Sequence, residues 1–195
     1  MIENFSRYAD LTGTQNWKAI CALNGVPFDS FGTKKELRVL PDYLERGETV
    51  LALCSGMVTG GFQANALDMG VNTWVVVLTD ERFLFLDCAL LSRSVDTQTI
   101  RHDKVQSVSA SQGWVLGKIM IDLGARVVVV DNCVKQSVAA MADLANKVLR
   151  AAAAPKPPAA DAMLDQLERL AGLRRTGALD EAEFRIAKAR LLAAA

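Results

Sequence analysis

The sequence predicts a mainly β chain with α elements: a seven-stranded antiparallel barrel capped by a C-terminal helix, preceded by N-terminal helices and followed by a small helical hairpin. Three observations carry this reading. Between residues 49 and 133 the apolar residues fall into short β-branched or aromatic runs separated by Gly, Asp and Asn. From residue 134 the apolar spacing becomes helical, and the prolines of AAAAPKPPAA (151–160) then stop it and favour an extended spacer. A chain of 195 residues, 51% apolar and 23% charged, can bury one good core and a small satellite, but not two full domains.

At the N-terminus a helix over Asn16–Leu23 would put Trp17, Ile20 and Cys21 on one side, before loop chemistry at Gly25, Pro27 and Gly32. Thr33 followed by Glu36 has the spacing of a capping box, and Leu37, Leu40 and Leu44 then recur at helical spacing. Pro41 is expected to kink or restart that helix.

Seven runs read as strands: TVLALCS, TWVVVLT, RFLFLD, RSVDTQT, KVQSVSA, KIMIDL and RVVVVD. Asp80 and Glu81 form a tight polar connection between two apolar runs, the clearest hairpin in the chain. Consecutive antiparallel strands with short loops close as a barrel or sandwich, which leaves few exposed edges; RVVVVD, next to the C-terminal helix, is read as one of them. In VKQSVAAMADLANKVLR the residues Val138, Met141, Leu144, Ala145 and Val148 define one apolar helix face, suited to capping an open end of the barrel.

Beyond the spacer, the segment LERLAGLRRTGALDEAEFRIAKARLL (167–192) encodes a helical pair. Gly177 is free to end the first helix in the left-handed conformation, and Asp180 can accept orphan amides at the start of the second. Glu183 completes a capping box, and Leu179 with Phe184 forms a hydrophobic staple. A unit of about 30 residues buries too little area to stand alone without metal, disulfide or association. Eight apolar residues, Leu164, Leu167, Leu170, Leu173, Leu179, Phe184, Ile186 and Leu191, would gain on the order of 12 kcal/mol at about 1.5 kcal/mol each, given a surface to bury them. That surface is either the chain's own barrel or a partner.

Charge and motif content exclude several function classes. Lys+Arg and Asp+Glu both number 22, and they balance within residues 34–150 and 161–195 alike, so no basic excess points to nucleic acid or an anionic membrane. Cys21, Cys54, Cys88 and Cys133 lie far apart with no CxxC, which reads as buried reduced thiols in a cytoplasmic protein rather than a metal site. MIENFSRYAD lacks the basic and apolar regions of a signal peptide, and no apolar run approaches the ~20 residues that a bilayer span needs.

Candidates for catalysis are sparse. His102 is followed by Asp103, but neighbours on a strand point to opposite faces, so a surface histidine is expected rather than a general base. Gly113 reads as a turn residue and Trp114 as packing, and Asp68, Asp80, Asp87 and Asp96 as solvated turn residues. No catalytic motif, cofactor site or metal-ligand spacing is found, and the dense Val/Leu/Phe strands argue against a ligand-binding interior.

Seven strands and a C-terminal amphipathic helix follow the order of a pleckstrin-homology-like domain. The strings KKELRVLPDYLERGETVLAL, VLTDERFLFLD and KVQSVSASQGWVLGKIMID, within residues 34–150, resemble the bacterial PH-like domains of the YokE type. The end of the chain resembles the short C-terminal domain called SHOCT: Leu167, Leu170 and Leu173, the turn Arg175–Gly177, Leu179, Asp180, then Glu183 and Phe184, closing with Leu191 and Leu192. The organisation read from these is a helical or irregular extension (1–33), a PH-like domain (34–150), an Ala/Pro linker (151–160) and a SHOCT-like hairpin (161–195).

Neither resemblance implies catalysis. Together they imply a non-catalytic binding or scaffold protein that self-associates or recruits a protein partner, with the tail residues Leu167, Leu170, Leu173, Leu179, Phe184 and Leu191 in contact. The connection GMVTGGFQANALDMGVN (56–72) has no Lys or Arg where phosphoinositide-binding relatives place them, so the lipid function is not imported. Its apolar residues, including Met57, Phe62, Leu67 and Met69, are expected to fold over the barrel or the N-terminal helix; exposed, they would mark a partner surface. The alternative, a peripheral membrane protein, would gather cations such as Lys34, Lys35 and Arg38.

Overall fold

The computed structural model describes residues 2–29, 33–59, 73–88, 94–153 and 160–193. They belong to two compact units, Met1–Ala151 and Ala152–Ala195. In the first, helices α1 (Phe5–Gly13), α2 (Trp17–Leu23) and α3 (Lys34–Val39) precede seven strands: β1 (Val50–Thr59), β2 (Trp74–Thr79), β3 (Arg82–Cys88), β4 (Val95–Arg101), β5 (Ser107–Gln112), β6 (Leu116–Asp122) and β7 (Val127–Val134). Helix α4 (Lys135–Ala153) follows, and the second unit holds α5 (Ala160–Arg175) and α6 (Glu181–Ala193).

All seven predicted strands are present, in one antiparallel sheet ordered β4-β3-β2-β1-β7-β6-β5. The edges, β4 and β5, are consecutive in the chain and joined by a 3-10 turn at His102–Lys104; no ladder joins them among the described residues. Strand β7 therefore lies between β1 and β6 rather than at an edge as expected from the sequence, its apolar run flanked by strands on both sides.

Strand β1 turns the sheet back on itself. Residues 50–56 pair with β2, whereas Met57, Val58 and Thr59 pair with Asp131, Val130 and Val129 of β7. At the crossover stands Gly56, where a Cβ would lie 2.4 Å from Cys133 Sγ and 2.6 Å from the Asp131 carbonyl oxygen. Only glycine fits so close an approach of backbone to backbone.

The runs LALC, VVVL and FLFL are continuously apolar because both faces of β1, β2 and β3 are buried. Helix α2 packs on β1, and α3 on β2 and β3. Polar anchors fix these helices: Asn24 Nδ2 donates to the Leu51 carbonyl (2.8 Å), Trp17 Nε1 to the Leu37 carbonyl (3.0 Å), and Val50 N–H to Thr12 Oγ1 (3.0 Å). Strands β6 and β7, with one inward face, alternate. Phe83 and Phe85 at the centre are fully buried, each worth up to about 3 kcal/mol.

Helix α4 covers the sheet with Val138, Met141, Ala145 and Val148, as the spacing predicts; Leu144 sits half-buried on its flank. Its first turn rests on β6, where a Cβ on Gly117 would meet Val138 Cγ2 at 2.6 Å. Further along, Asn146 Nδ2 donates to the Val108 carbonyl of edge strand β5 at 2.8 Å.

The predicted capping box at α3 does not form. Thr33 makes no cap hydrogen bond, and Glu36 is buried, with Oε1 accepting the Cys88 N–H at 2.8 Å. Tertiary packing against β3 outcompetes the local cap. Past Val39 the chain tightens into a 3-10 turn over Leu40–Tyr43, where Pro41 removes a helical donor.

Candidate functional site

The motif LTDERFLFLD is held in a buried polar clamp. The Glu48 side chain is fully buried, and Oε1 accepts from Thr79 Oγ1 (2.7 Å) and Arg82 Nε (2.8 Å). Its Oε2 accepts from Arg82 Nη2 (2.8 Å) and the Glu45 N–H (2.7 Å). Arg82 Nη2 also donates to the Tyr43 carbonyl at 2.9 Å, and Arg82 Nη1 lies 3.2 Å from Glu45. Burial by itself would raise the Glu48 carboxyl, but the hydrogen bonds from Arg82, the Glu45 amide and Thr79, with the Arg82 charge, hold it below the ordinary range. Arg82 is raised in turn, chiefly by its hydrogen bonds to Glu48. With its polar atoms satisfied internally, this clamp joins the β2–β3 hairpin to the segment before β1 and offers no open site.

His102 is a second departure from the sequence reading. It is 8% exposed rather than on the surface, because the chain turns inward between β4 and β5 and stacks its ring edge-on against Phe83 at 6.0 Å. Burial lowers its pKa, and Nε2 has no hydrogen-bond partner among the described residues. Asp87 is also buried, inside β3, and Asp80 accepts the Thr49 N–H at 2.8 Å. Asp87 is therefore not the solvated turn residue expected, because strand pairing draws it in, whereas Asp80 does stand in the β2–β3 turn, half-buried. Asp96 lies in β4, and Asp68 falls outside the described residues.

Cys21, Cys54 and Cys133 are buried and Cys88 is partly so; all four are free thiols. Burial, then the nearby Asp29 charge, pushes Cys21 up to about 11, and burial followed by Glu36 does the same for Cys88. Such thiols are poor nucleophiles at neutral pH. No group of metal-ligating residues occurs among the described ones. An interior cavity beside Cys21, Asp29, Cys54 and Ser55 measures about 10 Å³, room for one water rather than a ligand.

Of the loop residues singled out in the sequence, Met57 belongs to β1, paired with Asp131, and Asn132 Nδ2 lies 3.0 Å from its Sδ. The strand runs further than expected because β7 supplies a second partner. Phe62, Leu67 and Met69 fall outside the described residues. Lys34, Lys35 and Arg38 are exposed along α3. No helix among the described residues is long and apolar enough to cross a membrane.

In the tail the local chemistry forms as written in the sequence. Gly177 takes φ 72° after α5, and the Leu173 carbonyl accepts the Ala178 N–H at 2.9 Å. Glu183 N–H donates to Asp180 Oδ1 (2.8 Å), while Asp180 N–H donates to Glu183 Oε2 (3.0 Å). Arg174 pairs with Glu181 at 2.9 Å and lies 5.2 Å over the Phe184 ring. Yet no described tail side chain is buried: Leu167, Leu170, Leu179, Phe184 and Leu191 are half-buried, and Leu173 is 39% exposed. Leu164, Ile186 and Leu192 are at least half exposed.

Sequence reasoning missed the most exposed aromatic. Trp114, expected in the packing, is 96% exposed at the tip of the β5–β6 hairpin, and Val115 is 74% exposed. The hairpin closes from Gly113 N–H to the Leu116 carbonyl at 2.9 Å, so Trp114 and Val115 are the two turn residues and project beyond the sheet. Apolar residues at a two-residue turn, where Asn and Gly are usual, were the available signal.

Residues 44–147, just over half the chain, match the family described as Bacterial PH domain. No curated protein matches. Among solved structures, the Vps36 N-terminal PH domain is 14% identical with a TM-score of 0.43, covering 57% of this chain and 86% of its own. The C-terminal domain of an unknown protein from Leishmania infantum is 15% identical (TM-score 0.37; 62% and 99% covered). The pleckstrin homology domain of USP37 is 10% identical (TM-score 0.34; 50% and 96% covered). At this degree of likeness they bear on no residue of the site.

Proposed function

This chain belongs to the bacterial PH domain family, and on that premise we propose that it is a non-catalytic cytoplasmic binding and assembly module of the YokE type, whose SHOCT-like tail gathers copies or recruits a protein partner. The proposed organisation is an extension (1–33), the PH-like domain (34–150), a linker (151–160) and the hairpin (161–195). Leu167, Leu170, Leu173, Leu179, Phe184 and Leu191 form the tail's contact face.

One observation supports this above the rest: the tail is capped at every turn its sequence encodes, yet buries none of its described side chains. Capping contributes about 1 kcal/mol per site and cannot replace a core. A further surface is the missing component, and we assign it to a partner rather than to the chain's own first unit. The absence of Lys and Arg from residues 56–72 removes the charge-assisted contacts a phosphorylated headgroup needs, which ranks lipid recognition second.

Light scattering after gel filtration tests the reading on the full chain, on a chain ending at Ala153, and on a Leu170→Asp/Phe184→Asp variant. A defined oligomer that shrinks in both altered forms supports the tail as the assembly element. Equal masses in all three, with no protein partner lost, would remove that role.

A further inference from the structure

The first unit carries a projection and a cleft that match in size and charge. The projection is the turn Trp114–Val115, followed by Leu116 at 43% exposure. The turn is closed by Gly113 N–H donating to the Leu116 carbonyl, and the Lys135 amine donates to the Trp114 carbonyl. Neither turn residue has positive φ, so turn geometry does not ask for Trp or Val there. Lys118 is paired with Asp131 at 2.9 Å, and the Lys135 amine on the Trp114 carbonyl places a positive charge beside the turn.

The cleft lies between α1–α2 and α4 and encloses about 300 Å³. Ile2, Leu23 and Leu144 line it, and its rim carries Glu3 and Asp143 against one cation, Lys147. That volume is at the small end for a ligand cleft and suits one large aromatic side chain. Counted over the described residues its rim is net negative, opposite in sign to Lys135 beside the turn, and its carboxylates can accept an indole N–H. A Trp seated in a pocket of this kind is the residue most often found to anchor an interface. Since the indole is 96% exposed, it does not occupy the cleft of its own chain.

We propose that the Trp114 projection of one copy inserts into the α1–α2/α4 cleft of a second copy. The contact is head-to-tail, so each added copy presents a free projection and a free cleft, and association continues to a ring or an open chain. It uses no residue of the tail and stands apart from the tail's proposed role.

The test uses full-length protein and four samples: wild type, Trp114→Ser, Ala140→Trp, which fills the cleft lined in part by Ala140, and an equimolar mixture of the two variants. Circular dichroism checks each fold, and Asp143→Lys replaces Ala140→Trp if that variant unfolds. Wild-type mass by light scattering should rise with concentration, and each variant should lower it about twofold or more. The mixture should form a pair that does not grow, because it holds one intact projection and one intact cleft per pair. A wild type that does not associate, a Trp114→Ser variant with unchanged mass, or single variants that fail to pair when mixed would each overturn the proposal. So would Trp114 emission that shifts to the blue with phosphatidylglycerol vesicles but not with protein concentration, since the projection would then serve a lipid surface. If Leu170→Asp/Phe184→Asp abolishes association while Trp114→Ser leaves it intact, the tail reading stands and this one fails.

Discussion

Replacing Arg82 with methionine leaves a carboxylate inside the protein with half of its donors. Glu48 accepts four hydrogen bonds, two of them from Arg82, and its side chain is fully buried. The donors left are a hydroxyl and an amide, neither charged. Removing one partner of such a pair costs about 3–5 kcal/mol, mostly the penalty of the charge left behind. For a unit of this size each kcal/mol is about 2–4 °C, so the melting temperature should fall by about 6–20 °C.

The pH dependence identifies the cause. In the wild type the Glu48 carboxyl is lowered in the folded state, so its stabilisation is present above the ordinary value of 4.5 and is lost as pH falls through the folded value. In Arg82→Met burial is the dominant influence that remains, the folded carboxyl is raised, and the sign reverses: folding strengthens as pH falls and Glu48 takes a proton. The stability gap between the two proteins, measured by urea denaturation at pH 7 and at about pH 5, should therefore narrow on acidification. Arg82→Met/Glu48→Met should recover most of the loss, since an apolar pair of similar volume carries no buried charge. A cost under about 1 kcal/mol, or a gap that does not change with pH, would refute the clamp as described.

Three further outcomes are expected. Gly56→Ala should destabilise by about 2 kcal/mol or more in urea titration, because the new Cβ meets the Asp131 carbonyl oxygen at 2.6 Å and backbone cannot move aside as a side-chain tip can. Asp180→Ala should cost the second helix about 1 kcal/mol, seen as faster amide exchange over residues 181–184 with the first unit unchanged. His102 is held neutral by burial, so the unfolded chain protonates first and stability is lost as pH drops below the ordinary value of 6.5. His102→Phe should flatten that part of the pH profile in thermal melts, and an unchanged profile would place the acid sensitivity elsewhere.

Strand positions were legible because the runs from Thr49 to Asp131 are short and well punctuated, and the tail because its capping box needs only four consecutive residues. Where local and tertiary signals competed, local reading failed. Glu36 has capping-box spacing but serves the Cys88 N–H, 52 residues away, and the pairing of Glu48 with Arg82, 34 residues on, drew no signal from the sequence. Trp114 was misread because exposure is set by where a hairpin ends in space, and sequence period carries no information about that. His102 failed in the opposite direction: between polar neighbours it reads as surface, but the 3-10 turn folds it against Phe83.

Double burial of β1–β3 also bears on where partners can bind. A sheet with one free face can offer that face to another protein, but here α2 packs on β1 and α3 on β2 and β3, and successive residues of all three strands are buried, so these strands have no apolar face left. Enlarging the core in this way stabilises the first unit, at the cost of moving recognition to whatever projects from it. Edge strand β4 is polar, with Asp96, Thr97, Gln98 and Thr99 exposed, which discourages strand pairing there. Among the described residues the exposed large apolar side chains include those of the Trp114 turn, Leu164, Leu173, Ile186 and Leu192 of the second unit, and Phe5 and Val127. A partner that recognised this chain through the covered sheet would have to displace α2 and α3, and with them the buried Trp17 and Ile20. That cost makes the projections the economical place to look for contacts first.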